Sequence, residues 1–333
     1  MENYVCFYTV TPFWAGEAPN INNLVSKVNT FSDSLFTNAL SKIEFEYEND
    51  EIYFAVCKDG LIMTKIKKLD YQKEKIIKRD VKNGNIRFIE EYLKYLNSIQ
   101  LILSSALLKK EAHGFLQNFI IRTGEAFGLS IGDGGTASGV PRGATSYYFH
   151  GRYLCYYRCD LPINVDDRIF MRKPIQEEVF KTCFEDINIV IKDIKAIQIL
   201  SQLNSALGEY KSLNFRQSLV QSWCIVEWYI NKMFNAYLVR RNIKNQDSIR
   251  DEIDTAFKKI NFLKDKQIIL DKESSKMHTI RIKRNGDLHD FFSSDKKVTY
   301  NDCTDAFDLI TDLVKKEYGL DLQINYGLAF TTL

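Results

Sequence analysis

The clearest helical pattern in the chain is FRQSLVQSWCIVEWYINKMFNAYL, residues 215–238. Its apolar residues recur at steps of three and four, which places them on one side of an α-helix; they are Leu219, Trp223, Val226, Ile230, Met233, Phe234 and Tyr237. Glu227 falls within this stripe, one turn beyond Trp223. A carboxylate on a buried face is costly unless a cation or hydrogen-bond donors meet it. Glu227 is therefore predicted either to pair with a cation, for which Arg284 is the candidate, or to lie at the partly solvated edge of the stripe.

Helical patterns surround this segment and continue to about Tyr318. The further predicted helices are Gln176–Ile191, which connects two domains, Ile249–Leu263, and Ile268 to about Leu288. Thr299 and Asp302 have the spacing of a capping box at the start of a last helix, and Gly319 ends it. Glycine and β patterns become scarce after Pro174, so residues 191–333 are predicted to be an all-α domain.

Residues 1–190 read instead as a β-rich α+β domain, which makes the whole chain α+β. Short runs of β-branched and aromatic residues predict strands at Tyr4–Val10, Ile43–Tyr47, Ile52–Cys57, Leu61–Ile66 and Ser146–Arg158. The three runs between 43 and 66 are separated by turn-forming pairs and are predicted to form a meander. Helical spacing predicts helices at Ile21–Leu40 and Ile86–Lys109.

Two unusual stretches of this first domain have more than one interpretation. The basic run from Lys65 to Arg79 is interpreted as a solvated face with strand tips, or as a surface for nucleic acid or an acidic partner. The glycine-rich stretch 132–143 resembles a phosphate loop in composition, but no Gly-Lys-Ser/Thr follows it and a strand comes next. We expect a mobile surface loop there, with nucleotide binding as the alternative.

The composition excludes several classes of protein. The 333 residues suffice for two domains, and 45% hydrophobic with 13% aromatic residues excludes wholesale disorder. A net charge of +2 supplies no global field for nucleic acid, so RNA affinity requires local basic patches. We expect no signal peptide, no membrane span, and a cytoplasmic location with reduced cysteines. Cys155 and Cys159 lack a second ligand pair, and no metal or cofactor is predicted.

The stretch Arg284-Asn285-Gly286-Asp287-Leu288-His289 combines a fixed cation with a proton carrier. Arginine holds phosphate oxygens in a planar bidentate fork, and histidine exchanges a proton near neutral pH. No acidic cluster with metal-ligand spacing accompanies the pair, so the chemistry predicted is phosphodiester cleavage without a metal. The alternative is a solvated helix face with a surface histidine.

With its flanking amphipathic helices, the region from Ala196 to Gly319 resembles the HEPN superfamily of all-helical nucleotide-binding and RNA-cleaving domains, through the Arg-Asn-x-x-x-His string at 284–289. The resemblance implies a HEPN-like helical bundle and a metal-independent endoribonuclease. Gly286 departs from the larger residue typical of the family. Because Asn-Gly is turn-prone, we expect the helix to end or bend there, which would bring Arg284 and His289 towards one cleft.

Roles for individual residues follow from this resemblance. His289 would act as general base or acid, Arg284 would stabilise charge on phosphate, Asn285 would orient the histidine or a phosphate oxygen, and Glu227 would position Arg284. The residues expected to contact substrate are Arg281, Lys283 and His278.

The resemblance also implies partners. HEPN ribonucleases are commonly homodimers with a composite site, and many are prokaryotic toxins or antiviral effectors. The first domain would then bind guide RNA, an antitoxin or inhibitor, or a phage-derived trigger. Control by nucleotidylation is not expected, because Phe291 stands where minimal HEPN toxins carry a tyrosine. The alternative function is a non-catalytic nucleotide- or RNA-binding module that signals through the first domain.

Overall fold

The computed structural model describes residues 4–19, 41–79, 83–111, 114–132, 134–138, 172–241, 245–289 and 298–328. The chain is α+β and divides into two compact units. The first contains residues 1–197 and 323–325, and the second contains 198–322 and 326–333. The division falls at 197/198, where the sequence predicted 190/191. Among the described residues, no helix combines the length and apolar character needed to cross a lipid bilayer.

The first unit is built on an antiparallel sheet. The described strands are β1 Tyr4–Phe7, β2 Phe13–Ala15, β3 Ile43–Glu48, β4 Ile52–Cys57, β5 Ile62–Ile66, β6 Phe127–Gly132, β7 Thr136–Ser138 and β8 Lys173–Ile175. Six of them form one sheet in the order β3-β4-β5-β1-β6-β7, and β2 pairs in parallel with β8. The meander β3-β4-β5 agrees with the prediction.

Every residue of β4 is buried, as expected for a strand covered on both faces. One face carries a cluster that includes Tyr53, Met63 and Leu129. The described helices of this unit are α1 Lys67–Arg79, α2 Gly84–Lys110 and α3 Glu177–Val190. The Tyr92 hydroxyl of α2 accepts from the Ile66 amide at 2.9 Å, and Phe180 of α3 lies 5.3 Å from the Phe45 ring.

One prediction for this unit needs correction, and another is tested only in part. The basic run after β5 forms helix α1 and not strand tips. Its apolar residues Leu69, Ile76 and Ile77 are few among many charged residues, so its helical spacing is a weak signal. The loop predicted at 132–143 is described only in part: Gly132 pairs with Thr136 in a β-hairpin, and between them Gly134 and Gly135 have φ of 77° and 72°. Left-handed φ values favour glycine, so the turn geometry explains both residues. The predicted helix Ile21–Leu40 and strand Ser146–Arg158 lie outside the described residues.

The second unit is helical. Its described helices are α4 Ile194–Lys211, which begins in the first unit, α5 Phe215–Arg240, α6 Gln246–Glu252, α7 Ala256–Asp265, α8 Asp271–His289 and α9 Tyr300–Tyr318. α5 is the central helix and packs against α7, α8 and α9. Phe262 of α7 meets Phe234 edge-on at 5.3 Å between ring centroids. Within the stripe predicted for α5, Leu219, Trp223, Val226, Ile230 and Phe234 are buried.

Helix ends in this unit are partly as predicted. The capping box of α9 is confirmed, because the Thr299 hydroxyl accepts from the Asp302 amide and Asp302 accepts from the Thr299 amide. Gly319 ends α9 with φ 75°. The predicted helix Ile249–Leu263 is wrong in one respect, since the chain breaks at Ile253–Thr255 into α6 and α7.

The predicted helix end at Asn285-Gly286 is also wrong. α8 continues through Gly286 to His289. Glycine inside a helix costs only about 1 kcal/mol relative to alanine, which packing of the helix against its neighbours offsets. The consequence for the Arg-His motif is that residues 284 and 289 lie on one uninterrupted helix.

Candidate functional site

A cleft of about 560 Å³ opens among α5, α7 and α8. Its lining residues are Trp223 and Glu227 of α5, Thr255, Ala256 and Phe257 at the start of α7, and Arg281, Arg284 and Asn285 of α8. Three of the residues predicted to act in catalysis, Glu227, Arg284 and Asn285, thus lie in one cleft with the predicted substrate residue Arg281. The lining side chains carry two positive charges and one negative charge, which favours an anionic ligand.

Arg284 is half-buried and is held by its neighbour in sequence. Its Nη1 donates to Asn285 Oδ1 at 2.9 Å. Its Nε is fully buried and has no acceptor among the described residues. A buried polar group without a partner costs about 1–3 kcal/mol, and an oxygen ligand in the cleft would remove that cost. Asn285 was predicted to orient the histidine or a phosphate oxygen. In the structure its Oδ1 accepts the hydrogen bond that orients Arg284.

Glu227 lies in the same cleft and is half-buried, but it does not form the predicted direct pair. Within the described part of the chain, no carboxylate oxygen lies within 4.0 Å of a nitrogen of Arg281 or Arg284. The Glu227 side chain sits at the edge of the buried stripe of α5, where water reaches it. The cleft therefore holds separate charges and not a closed ion pair, which leaves its arginines available to an anion.

Arg281 and His278 approach Phe257 from α8. The guanidinium carbon of Arg281 is 5.1 Å from the Phe257 ring centroid, and the His278 ring is 5.2 Å away at an angle of 52°. His278 Nε2 is 3.0 Å from Asn261 Oδ1. Burial, with Arg281 and Lys264 adding to it, lowers the pKa of His278 below its usual value. His278 does not line the cleft. It contacts Phe257, which does.

Four lining residues were not predicted as site residues from the sequence: Trp223, Thr255, Ala256 and Phe257. Thr255 caps α7, and its hydroxyl accepts from the Lys258 amide at 3.3 Å. The first-turn N–H groups of a helix have no intrahelical acceptor and favour anions, and here they border the cleft. The signal for this site was the Asp254-Thr255 pair, since both residue types are common at helix starts.

Position 289 lies on a different side of α8 from Arg284, and Lys283 does not line the cleft. On a continuous helix, five positions separate residues by about 140°. Position 289 instead falls within roughly 20° of position 282, and Ile282 is 58% exposed. The His289 side chain lies outside the described part of the structure. Lys283 forms an ion pair with Asp302 at 3.3 Å.

No group of three or more His, Cys, Asp or Glu side chains with the geometry of a metal site occurs among the described residues. Comparisons of the chain with protein-family models, curated proteins and solved structures gave no match. The residues and the cleft they form are therefore the basis for assigning a function.

Proposed function

We propose that the chain is a metal-independent endoribonuclease of HEPN type, and that the cleft among α5, α7 and α8 binds the phosphate of the RNA to be cut. The observation that carries the proposal is the placement of Arg284, held by Asn285, in a cleft that also contains Arg281 and the start of α7. A guanidinium with a buried nitrogen that lacks an acceptor is suited to phosphate oxygens.

The reaction proposed is attack of a ribose 2′-oxygen on the adjacent phosphorus. A bond forms between O2′ and phosphorus, the bond between phosphorus and O5′ breaks, and the products are a 2′,3′-cyclic phosphate and a 5′-hydroxyl. A general base takes the proton of the 2′-hydroxyl, and a general acid protonates the departing 5′-oxygen. His289 is proposed for these proton transfers. General acid–base catalysis of this kind typically raises the rate by roughly 10²–10⁴. Arg284 would stabilise the charge that grows on the phosphate oxygens.

The helix geometry supports a homodimer with a composite site. Arg284 faces the cleft, whereas position 289 lies about 140° around the same helix, on the side of the exposed Ile282. One chain therefore does not combine both positions on one face of α8. Two chains related by a two-fold axis can place a histidine of one beside the arginine of the other. In this proposal the first unit binds an antitoxin, an inhibitor or a trigger, and the setting is a toxin or defence system.

The second candidate is a non-catalytic module that holds a nucleotide or RNA in the same cleft. The separation of positions 284 and 289 on α8 favours it, because binding needs only the arginines and the α7 start. The two candidates differ in a single result, which is whether the bound RNA is cut.

The test is an assay of the purified full-length protein with fluorescently labelled RNA in EDTA. We expect cleavage, with 2′,3′-cyclic phosphate at the new 3′ ends. Arg284→Ala should reduce the rate by roughly 10²-fold or more, the loss typical for removal of one charge-stabilising donor. The matched control is Arg240→Ala, at the exposed end of α5, which should cut normally. Cleavage that stops in EDTA and returns with magnesium contradicts the mechanism, and RNA binding without cleavage supports the second candidate.

A further inference from the structure

Phe257 is an aromatic side chain in an unusual position. It is the second residue of α7, it is 47% exposed, and it lines the cleft beside Arg281. An aromatic residue on a packed helix is ordinarily turned towards the core, as Phe234 and Phe262 are where they meet at 5.3 Å. Phe257 is turned instead towards the space in which the proposed phosphate ligand would lie.

The ring is nevertheless held in place. The guanidinium of Arg281 lies 5.1 Å from its centroid, and the ring of His278 contacts it at 5.2 Å. His278 is in turn bound through Nε2 to Asn261, one helical turn further along α7. An exposed aromatic ring held by two side chains of α8 loses little conformational freedom when a ligand stacks on it.

Groups that favour an anion adjoin the ring. The Arg281 Nε is buried and has no acceptor among the described residues. The amide groups of Ala256 and Phe257 belong to the first turn of α7, where N–H groups lack intrahelical acceptors and attract anions. A flat apolar surface beside a phosphate site matches the layout of a nucleotide, in which a base extends from a sugar-phosphate.

We infer that Phe257 and Arg281 form a subsite for one unpaired base of RNA, next to the phosphate held by Arg284. The inference rests on the proposed function and names its substrate class, single-stranded RNA. Aromatic rings and guanidinium planes stack on bases of any identity. In a duplex the bases are stacked on each other and do not reach such a ring, so duplex RNA is excluded from this subsite.

The experiment measures binding separately from cleavage. A fluorescein-labelled, single-stranded 2′-fluoro RNA octamer lacks the 2′-hydroxyl nucleophile, and fluorescence anisotropy with the full-length protein gives its Kd. Phe257→Leu keeps an apolar side chain and removes the ring, and we expect binding to weaken roughly tenfold or more, the loss of one base stack. Phe257→Trp should bind as tightly as the wild type or more tightly.

Two controls make the result specific. Tyr300→Leu removes another exposed aromatic ring, 52% exposed at the start of α9 and absent from the cleft lining, and should leave the Kd unchanged. Arg281→Lys keeps the charge but removes the guanidinium plane, and should weaken binding several-fold. The same octamer annealed to its complement should bind more weakly than the single strand.

The outcomes separate this inference from the proposed function. Equal Kd values for wild type and Phe257→Leu with unchanged melting temperatures, equal binding of duplex and single strand, or no binding by the wild type each overturn the base subsite. If the predicted binding pattern holds but natural RNA is not cut, the subsite stands and the ribonuclease proposal fails. If RNA is cut in an Arg284-dependent manner while Phe257→Leu binds normally, the ribonuclease stands and the subsite fails.

Discussion

Arg284 and Arg281 reach the same cleft, but different neighbours hold them. Arg284 donates to the Asn285 side chain, whereas Arg281 lies against the Phe257 ring. A hydrogen bond fixes the direction of the guanidinium fork, and an aromatic face fixes its plane. Arg284 is thus oriented towards a charged oxygen, and Arg281 is placed where it can contact both charge and a flat ring.

Glu227 provides the first prediction at the residue scale. Glu227 was predicted either to pair with Arg284 or to lie at the partly solvated edge of the α5 stripe, and no direct ion pair occurs among the described residues. We therefore expect Glu227→Gln to change the free energy of unfolding by less than about 0.5 kcal/mol. Removing its charge should tighten binding of non-cleavable RNA by roughly two- to fivefold, because a repulsive charge is lost.

The rate of cleavage decides whether Glu227 also positions Arg284. If it does, the Glu227→Gln variant should cut RNA about tenfold or more slowly in spite of its tighter binding. Anisotropy, single-turnover cleavage and urea unfolding give the three quantities. Unchanged or faster cleavage would remove Glu227 from the proposed machinery.

His278 gives a prediction about pH. Burial, then Arg281 and Lys264, lower its pKa in the folded protein. Above the unfolded value of about 6.5 the ring is neutral in both states, so it has no effect on stability there. As the pH falls below that value, the unfolded chain takes up the proton more readily, and stability decreases. His278→Gln should lose less stability than the wild type between about pH 7 and 5, as measured by urea unfolding, and parallel curves would contradict the assignment.

At the element scale, two threonine caps of the same kind lie in different places. Thr255 caps α7 at the cleft, and Thr299 caps α9 with a capping box. Replacing either by alanine should cost about 0.5–2 kcal/mol of stability. We expect only Thr255→Ala to weaken binding of single-stranded RNA as well, because its cap supports the first turn of α7 beside the ligand. Equal Kd values for the two variants would exclude the α7 start from the site.

The same elements explain how far the sequence predicts the structure. α5 and α9 were predicted because an apolar stripe and a capping box are local signals. α1 was not predicted, since its few apolar residues are spread among many charged ones. The α6–α7 break was missed because the apolar spacing continues across it. Arg284, Glu227 and Arg281 were recognised from the sequence as candidate site residues. The cleft was not, because it is formed by three separate helices and no single stretch of sequence encodes their arrangement.

At the scale of the whole molecule, the proposed dimer gives a prediction. Light scattering should show about twice the chain mass of 38.8 kDa. An excess of His289→Ala chains, mixed with wild type under conditions of exchange, should lower activity more than simple dilution does, because mixed dimers lose one histidine of the composite site. The control is an equal excess of unrelated protein. Activity that falls only in proportion to the wild-type fraction would assign the whole reaction to one chain.

The two arginines of the cleft also limit how the protein can hold RNA. The net charge of the chain is only +2, so no global field adds to the attraction of the cleft. Neutralising two phosphates on a single strand displaces few bound counterions, and the slope of log K against log salt concentration should be only about −1.4. Raising the salt concentration should then weaken RNA binding only modestly. Such a weak dependence indicates contact with a few nucleotides and not with a long tract.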